Sequence, residues 1–265
     1  MKQSELEQYL KNESDRFPGK VAYQFVDMDG RRETIACGEK DRTVSASMIK
    51  VPVMLALFDE MKKNNISLKT ELPVKQSDIL PDSIVYEYGE TKSSLYELAY
   101  WMIVNSDNTA ANVLMNYLGF DRINRFCEKT GLNETRAERC MLDEEAVRAG
   151  RNNYMSLADF YTCICRLRDN EKKDPFAACG LEILKKNRDY GDLLRYITDF
   201  SYVAHKSGEL DDIIHDAGLF GTAKGSYFFG VFVSEFAPEE QMRREAEKLI
   251  GRMSEKVYQA YNEEN

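Results

Sequence analysis

Ser47 and Lys50 stand three residues apart at the start of the run SASMIKVPVMLALFDEM, residues 45–61. On a helix that spacing puts two side chains on one face. A serine hydroxyl is a poor nucleophile until a base takes its proton. Lys50 is set among Val51, Val53, Met54, Leu55, Leu57 and Phe58. Apolar surroundings penalise the ammonium, so the neutral amine becomes available as that base. A helix start also offers unpaired N–H groups to a developing oxyanion. The same residues also suit a capping serine and a lysine reaching out to water. A lone S-x-x-K arises by chance about once in a chain of this size.

Two further strings carry chemistry. Ser106-Asp107-Asn108 follows an apolar helix that ends at Val104. Ser106 can relay a proton, and Asn108 carries both an amide donor and an acceptor; S-D-N is also a good helix cap. Lys206-Ser207-Gly208 lies on a strand otherwise free of charge, in SYVAHKSGELDDIIHDAGLF. It offers a fixed cation and a hydroxyl, both suited to a carboxylate, and a glycine that admits a close backbone approach.

The elements that must position these residues read in a simple order. Residues 2–16 have the pattern of an amphipathic helix, and KVAYQFVDM (20–28) that of a strand. Asp29-Gly30 reads as a hairpin turn, with RRETIACG returning as a second strand. From residue 45 to about 190 the pattern is helical, including 95–105, 110–117, 121–129 and 157–168. Strands resume at 201–208, 213–221 and 226–236. A charged helix follows, with Met242, Ala246, Leu249, Ile250, Met253 and Val257 at helical spacing. The early and late strands are expected in one antiparallel sheet, with the terminal helices on a face and the helical block as an insertion.

S-x-x-K, S-D-N and K-[ST]-G in this order form the set of class A β-lactamases and penicillin-binding proteins. The chain resembles a class A serine β-lactamase-like protein. The likeness extends over the opening helix, the turn at Asp29-Gly30, Thr135-Arg136, HKSGEL…HDAG and the final helix. It implies an α+β fold: a five-stranded antiparallel sheet flanked by helices, plus an all-helical insertion domain. The sheet domain would be discontinuous, residues 1–44 and 191–265, with the helical domain at 45–190.

The resemblance also implies roles. Ser47 would be the acylated nucleophile, Lys50 would help remove its proton, and Ser106 would protonate the leaving nitrogen. Asn108 would bond the substrate's side-chain amide and Lys50. Lys206 and Ser207 would hold the substrate carboxylate beside Gly208. The N–H groups of Ser47 and Glu209 would form the oxyanion hole. A charged residue at Glu209 departs from the family's small one and would narrow the substrate range.

A larger departure lies in the omega loop, RAERCMLDEEAVRAGRNNYMSLAD (136–159). With Arg139 on the family arginine, Met141 falls on the position of the deacylating glutamate and Glu145 on that of an asparagine. Asp143, Glu144 and Glu145 are the candidate substitutes. The expectation is a serine hydrolase acylated by β-lactams, with impaired deacylation. The alternatives are a penicillin-binding or D-Ala-D-Ala peptidase-like enzyme, an esterase, or a non-hydrolytic β-lactam-binding protein.

Bulk composition bounds the rest. The 265 residues are 43% hydrophobic and 31% charged, with net charge −9. That excludes the basic stripe of a nucleic-acid binder. No run of about 18 apolar residues predicts a membrane span. The first residues lack an apolar secretion core, so the expected location is cytoplasmic, or outside where a precursor carries a leader. Six cysteines without a C-x-x-C pair read as reduced, mostly buried thiols. His205 and His215 have no partner at metal spacing, so no metal site and no cofactor are expected. The expected partner is a small-molecule β-lactam or related amide or ester, and the expected state a monomer.

Overall fold

A computed structural model describes residues 1–81 and 83–263. Five strands form the main sheet: β1 (Lys20–Asp27), β2 (Ile35–Cys37), β7 (Tyr202–Leu210), β8 (Ile213–Thr222) and β9 (Gly225–Ser234). Their order is β2-β1-β9-β8-β7, antiparallel throughout. Every residue of β8 but the last is buried, so both faces of the sheet are covered.

Helix α1 (Gln3–Arg16) and helix α10 (Glu240–Asn262) cover one face. There Phe229, Val231 and Val233 pack in one core with Leu249, Ile250, Met253 and Val257. Burying each such side chain stabilises by about 1.5–3 kcal/mol, which is what the helical spacing of the last segment achieves. The opposite face presents Ala204, Ala217, Leu219, Phe228 and Phe232 to a second core. That core belongs to α2 (Lys50–Asn64), α4 (Leu95–Val104), α5 (Asn108–Leu118), α6 (Phe120–Lys129), α8 (Leu157–Asn170) and α9 (Pro175–Leu184). The short helices α3 (Ile84–Tyr88) and α7 (Glu144–Arg148) lie in the connections.

Three details differ from the sequence expectation. The second strand is shorter: only Ile35–Cys37 pairs with β1. The turn does not close a tight hairpin because the Asp27 carboxylate collects the N–H groups of Asp29 and Arg31, at 3.0 and 3.1 Å. The helical block also contains strands. β4 (Glu71–Val74) pairs with β5 (Thr91–Ser94), and β6 (Tyr154–Met155) pairs with β3 (Thr43–Val44). ELPV and TKSS bury little and do not alternate, so periodicity could not show them. Finally, only Cys127 and Cys163 are buried thiols; Cys37 is exposed and the other three are intermediate. None of the described helices is long and apolar enough to cross a membrane.

Candidate active site

The apolar run does not begin as an α-helix. A 3-10 turn, Ala46–Ile49, leads into α2, which starts at Lys50. In a 3-10 turn residues i and i+3 eclipse. Ser47 and Lys50 are therefore stacked, with Lys50 Nζ 3.0 Å from Ser47 Oγ. Lys50 is fully buried, whereas Ser47 is half-buried.

The S-D-N string supplies the next contacts. Asp107 caps α5 through Ala110 N–H at 2.9 Å and accepts from Ile84 N–H at 2.7 Å. Ser106, just before it, adopts a left-handed φ of 53°. Such a conformation costs on the order of 1–3 kcal/mol for a residue other than glycine. Here it turns both the carbonyl and the hydroxyl of Ser106 toward Lys50. Lys50 Nζ lies 2.6 Å from Ser106 O, 3.1 Å from Ser106 Oγ and 2.8 Å from Asn108 Oδ1.

The third string arrives on β7, the edge strand of the sheet. Lys206 is fully buried, with Nζ 3.0 Å from Ser106 Oγ and 2.6 Å from Ser207 O. Ser106 Oγ thus bridges two lysines. A Cβ on Gly208 would fall 2.8 Å from Ser47 N, so only glycine lets the β7 main chain lie this close to the turn bearing Ser47. The hydroxyl of Ser207 is turned to Asp189 Oδ2, its hydrogen-bond acceptor. Glu209 points its carboxylate to Arg243 Nη2, 2.8 Å away on α10.

Burial holds the Lys50 amine well below the ordinary lysine pKa; the Lys206 charge adds to this and Asp107 opposes it. Burial likewise brings Lys206 down to about 8, against the pull of Asp189, Asp216 and Glu209. Among the described residues, neither lysine has a carboxylate within ion-pair distance. Their partners are hydroxyls, carbonyls and an amide.

The description "Beta-lactamase enzyme family" belongs to a family model that matches residues 5–261. The chain belongs to the β-lactamase enzyme family. Among solved structures, this β-lactamase-family chain is similar to a β-lactamase from Sphaerobacter thermophilus, with a TM-score of 0.84 and 22% identity over 98% of each chain. It is similar to TLA-3 extended-spectrum β-lactamase, with a TM-score of 0.87 and 21% identity over 99% of this chain and all of that one. PBP-A gives a TM-score of 0.85 and 23% identity over 98% of this chain and 96% of that one. These likenesses establish a shared fold. A β-lactamase from Rhodobacter capsulatus is 34% identical over 95 residues, covering 35% of this chain and 32% of that protein.

The omega loop of this family member is held by its main chain. Asn112 on α5 accepts from Met141 N–H at 2.6 Å and donates to Met141 O at 3.1 Å. Asn153 accepts from the N–H groups of Glu138 and Arg139 and donates to Arg139 O at 3.0 Å. Its own carbonyl receives Ser45 N–H at 2.9 Å, which ties the loop to the turn bearing Ser47. The Met141 side chain is buried in the helical core. Asp143 caps α7 through Ala146 N–H at 2.9 Å. Glu144 is exposed, 3.3 Å from Arg148, and Glu145 is exposed as well. None of the three carboxylates hydrogen-bonds to Ser47, Lys50, Ser106 or Asn108.

Sequence reading did not find Asn112 or Asp189. Asn112 was within reach: it stands one helical turn after Asn108, on the same face. Asp189 carried no such signal, because it comes from a loop far from Ser207 in the chain. Asp189, Asp192 and Glu209 bring one carboxylate oxygen each to within 4.8 Å of one another. Such an all-oxygen set suits a hard cation rather than zinc. Asp192 is buried, and desolvation, followed by Asp216, Asp189, Glu209 and Glu247, pushes its pKa up to about 9.

Proposed function

We propose that this chain is a serine hydrolase of acyl-transfer type, acylated at Ser47 by β-lactams or related amides and esters. The observation that carries the reading is the inventory around Lys50. A neutral amine has two hydrogens and one lone pair. Its two closest partners, Ser106 O at 2.6 Å and Asn108 Oδ1 at 2.8 Å, are acceptors only. They take both hydrogens. The lone pair is left for the Ser47 hydroxyl at 3.0 Å, as a general base requires.

The remaining steps use the same atoms. Ser47 Oγ attacks the substrate carbonyl while its proton passes to Lys50. The N–H groups of Ser47 and Glu209 hold the oxyanion. The ammonium so formed has a third hydrogen, and Ser106 Oγ lies 3.1 Å away to accept it. Ser106 then gives its own proton to the leaving nitrogen as the amide bond breaks. Asn108 bonds the substrate's side-chain amide, and Lys206 and Ser207, beside Gly208, meet the end group of the leaving half.

Deacylation is the slow step in this reading. A water that attacks the ester needs a base in reach. Met141 presents a thioether, no base at all, and the neighbouring carboxylates are engaged in a helix cap or in solvent. This favours a second, peptidase-like or penicillin-binding reading. The structural likeness to PBP-A supports it, since a variant of that protein is described as an acyl-enzyme complex with penicillin G.

An intact-mass time course with a penicillin tests both. A stoichiometric adduct that persists supports the acyl-transfer reading with slow deacylation. Rapid hydrolysis with no adduct supports an efficient β-lactamase. No adduct and no hydrolysis refutes the acyl-transfer reading for β-lactams.

A further inference from the structure

Side chains alternate between the two faces of a strand. On β7, Val203 packs in the core under α1 and α10, and Ala204 in the core of the helical block. Ser207 and Glu209 fall on the Val203 face, where Glu209 meets Arg243 of α10 at 2.8 Å. Lys206 faces the other way, to Ser106. The chain between Leu184 and Tyr202 crosses the Val203 face without forming a helix or strand, anchored by Leu193, Leu194 and Ile197. Connections longer than about 12–15 residues without regular structure are uncommon and usually functional.

This connection carries Asp189 and Asp192. One carboxylate oxygen from each, and one from Glu209, lie within 4.8 Å of one another. Acidic neighbours are common on protein surfaces, but Asp192 is not at the surface. It is 2% exposed, and among the described residues its Oδ2 has no hydrogen-bond partner. A buried carboxylate is neutralised by a proton or by a cation. Among the described residues no lysine or arginine forms an ion pair with Asp192: Arg243 is paired with Glu209 and Arg195 with Glu247, while Arg188 is exposed. Three carboxylates less the one paired by Arg243 leave two negative charges, which a divalent ion balances.

Calcium takes oxygen ligands at about 2.3–2.6 Å, so oxygens on opposite sides of it stand about 4.6–5.2 Å apart. Three oxygens within 4.8 Å of one another can share such an ion where they are. Glu209 is exposed, which leaves the remaining positions to water. Magnesium usually keeps several waters and takes only one or two carboxylates. We propose that Asp189, Asp192 and Glu209 bind one calcium ion at the edge of the sheet, on the side of β7 away from Lys206. Bound there, the ion ties the 185–201 connection to β7 and gives the Asp192 carboxylate its partner. This site is independent of the acyl-transfer reading, because binding and stability report it with no substrate present.

The test frees the full chain of divalent ions with a chelator and titrates it with calcium chloride in a calorimeter. One ion per chain is expected, with a Kd below about 1 mM and with magnesium at least about tenfold weaker. Asp192→Asn and Glu209→Gln should each weaken calcium binding by about tenfold or more, since each removes one ligand charge. Glu209→Gln alters an exposed side chain, so it carries the test should Asp192→Asn fail to fold. Calcium should raise the thermal midpoint of the parent and, at the same concentration, move that of either variant much less. No calcium binding up to about 10 mM, well above the expected Kd, would mean that a proton neutralises Asp192 and overturns the proposal. Calcium bound as tightly by the folded variants as by the parent, or magnesium bound as tightly as calcium, overturns it as well.

Discussion

The cluster around Lys50 and the loop from Arg139 to Asn153 are joined through Ser45 N–H and the Asn153 carbonyl, yet they are built on opposite plans. In the cluster, side chains bond mostly to side chains: Lys50 to Ser47, Ser106 and Asn108, and Lys206 to Ser106, with the Ser106 and Ser207 carbonyls as further acceptors. In the loop, side chains hold main chain: Asn112 on Met141, Asn153 on Arg139, Asp143 on Ala146. The first arrangement can pass a proton from atom to atom. The second fixes a shape, and none of Asp143, Glu144 and Glu145 hydrogen-bonds to Ser47. In the proposed reading, one of these neighbouring parts forms the bond and the other shapes the wall.

The comparison breaks most sharply at Ser47. Ser47→Ala is expected to abolish covalent labelling by a fluorescent penicillin; persistent labelling at another residue would refute the assignment. Lys50→Ala should slow acylation by about 10²–10⁴, the usual worth of a positioned base, as read by stopped-flow labelling. A variant that labels at the parent rate would remove the base role from Lys50.

The next largest effect is expected from giving the loop what it lacks. Met141→Glu places a carboxylate where the thioether is buried, beside the Asn112 clamp. Deacylation should accelerate by about 10² or more where that carboxylate reaches a water, seen as loss of the persistent adduct with a chromogenic cephalosporin. An adduct lifetime unchanged in a folded variant would show that the base is missing for a reason other than residue 141.

A smaller effect separates shape from chemistry. Asn112→Ala removes both hydrogen bonds to Met141 and should destabilise the fold by about 1–3 kcal/mol, measured by urea unfolding. Its acylation rate should change by less than about tenfold, since no atom of Asn112 bonds to Ser47 or Lys50. A loss as large as that of Lys50→Ala would mean that the loop does take part in acylation.

These regions also differ in how much of them could be read from sequence. Ser47 and Lys50 announce themselves because three residues separate them and the neighbours are apolar. Ser106, Asn108 and Lys206 lie in short strings of fixed spacing. The strands and the long helices follow from periodicity, down to Met242–Val257 on α10. What spacing could not show is contact between distant parts. The hold of Asp189 on Ser207, the tie of Asp107 to Ile84 and the clamp of Asn112 on Met141 exist only after folding. The 3-10 start at Ala46 and the β4–β5 ribbon were hidden as well, because short elements carry too few residues for a period to emerge.

The two buried lysines, with no carboxylate partner among the described residues, each contribute proton release to folding. The unfolded chain carries both ammoniums up to about pH 10, whereas the folded chain holds Lys206 with a pKa of about 8 and Lys50 well below the ordinary value. Between those values the unfolded state holds lysine protons that the folded state has lost, so the lysine contribution to stability rises with pH across the window and falls as pH drops through it. For Lys206 alone the change between pH 10 and pH 8 is on the order of 3 kcal/mol. Folding at pH 9 should therefore release about one proton from Lys206. The unfolding heat at that pH, compared between buffers of low and high ionisation enthalpy, should change its buffer dependence by about one proton's ionisation heat in Lys206→Met. An unchanged buffer dependence in Lys206→Met would mean that Lys206 keeps its proton inside the fold. The proton so shed is the thermodynamic trace of an ammonium taken out of water.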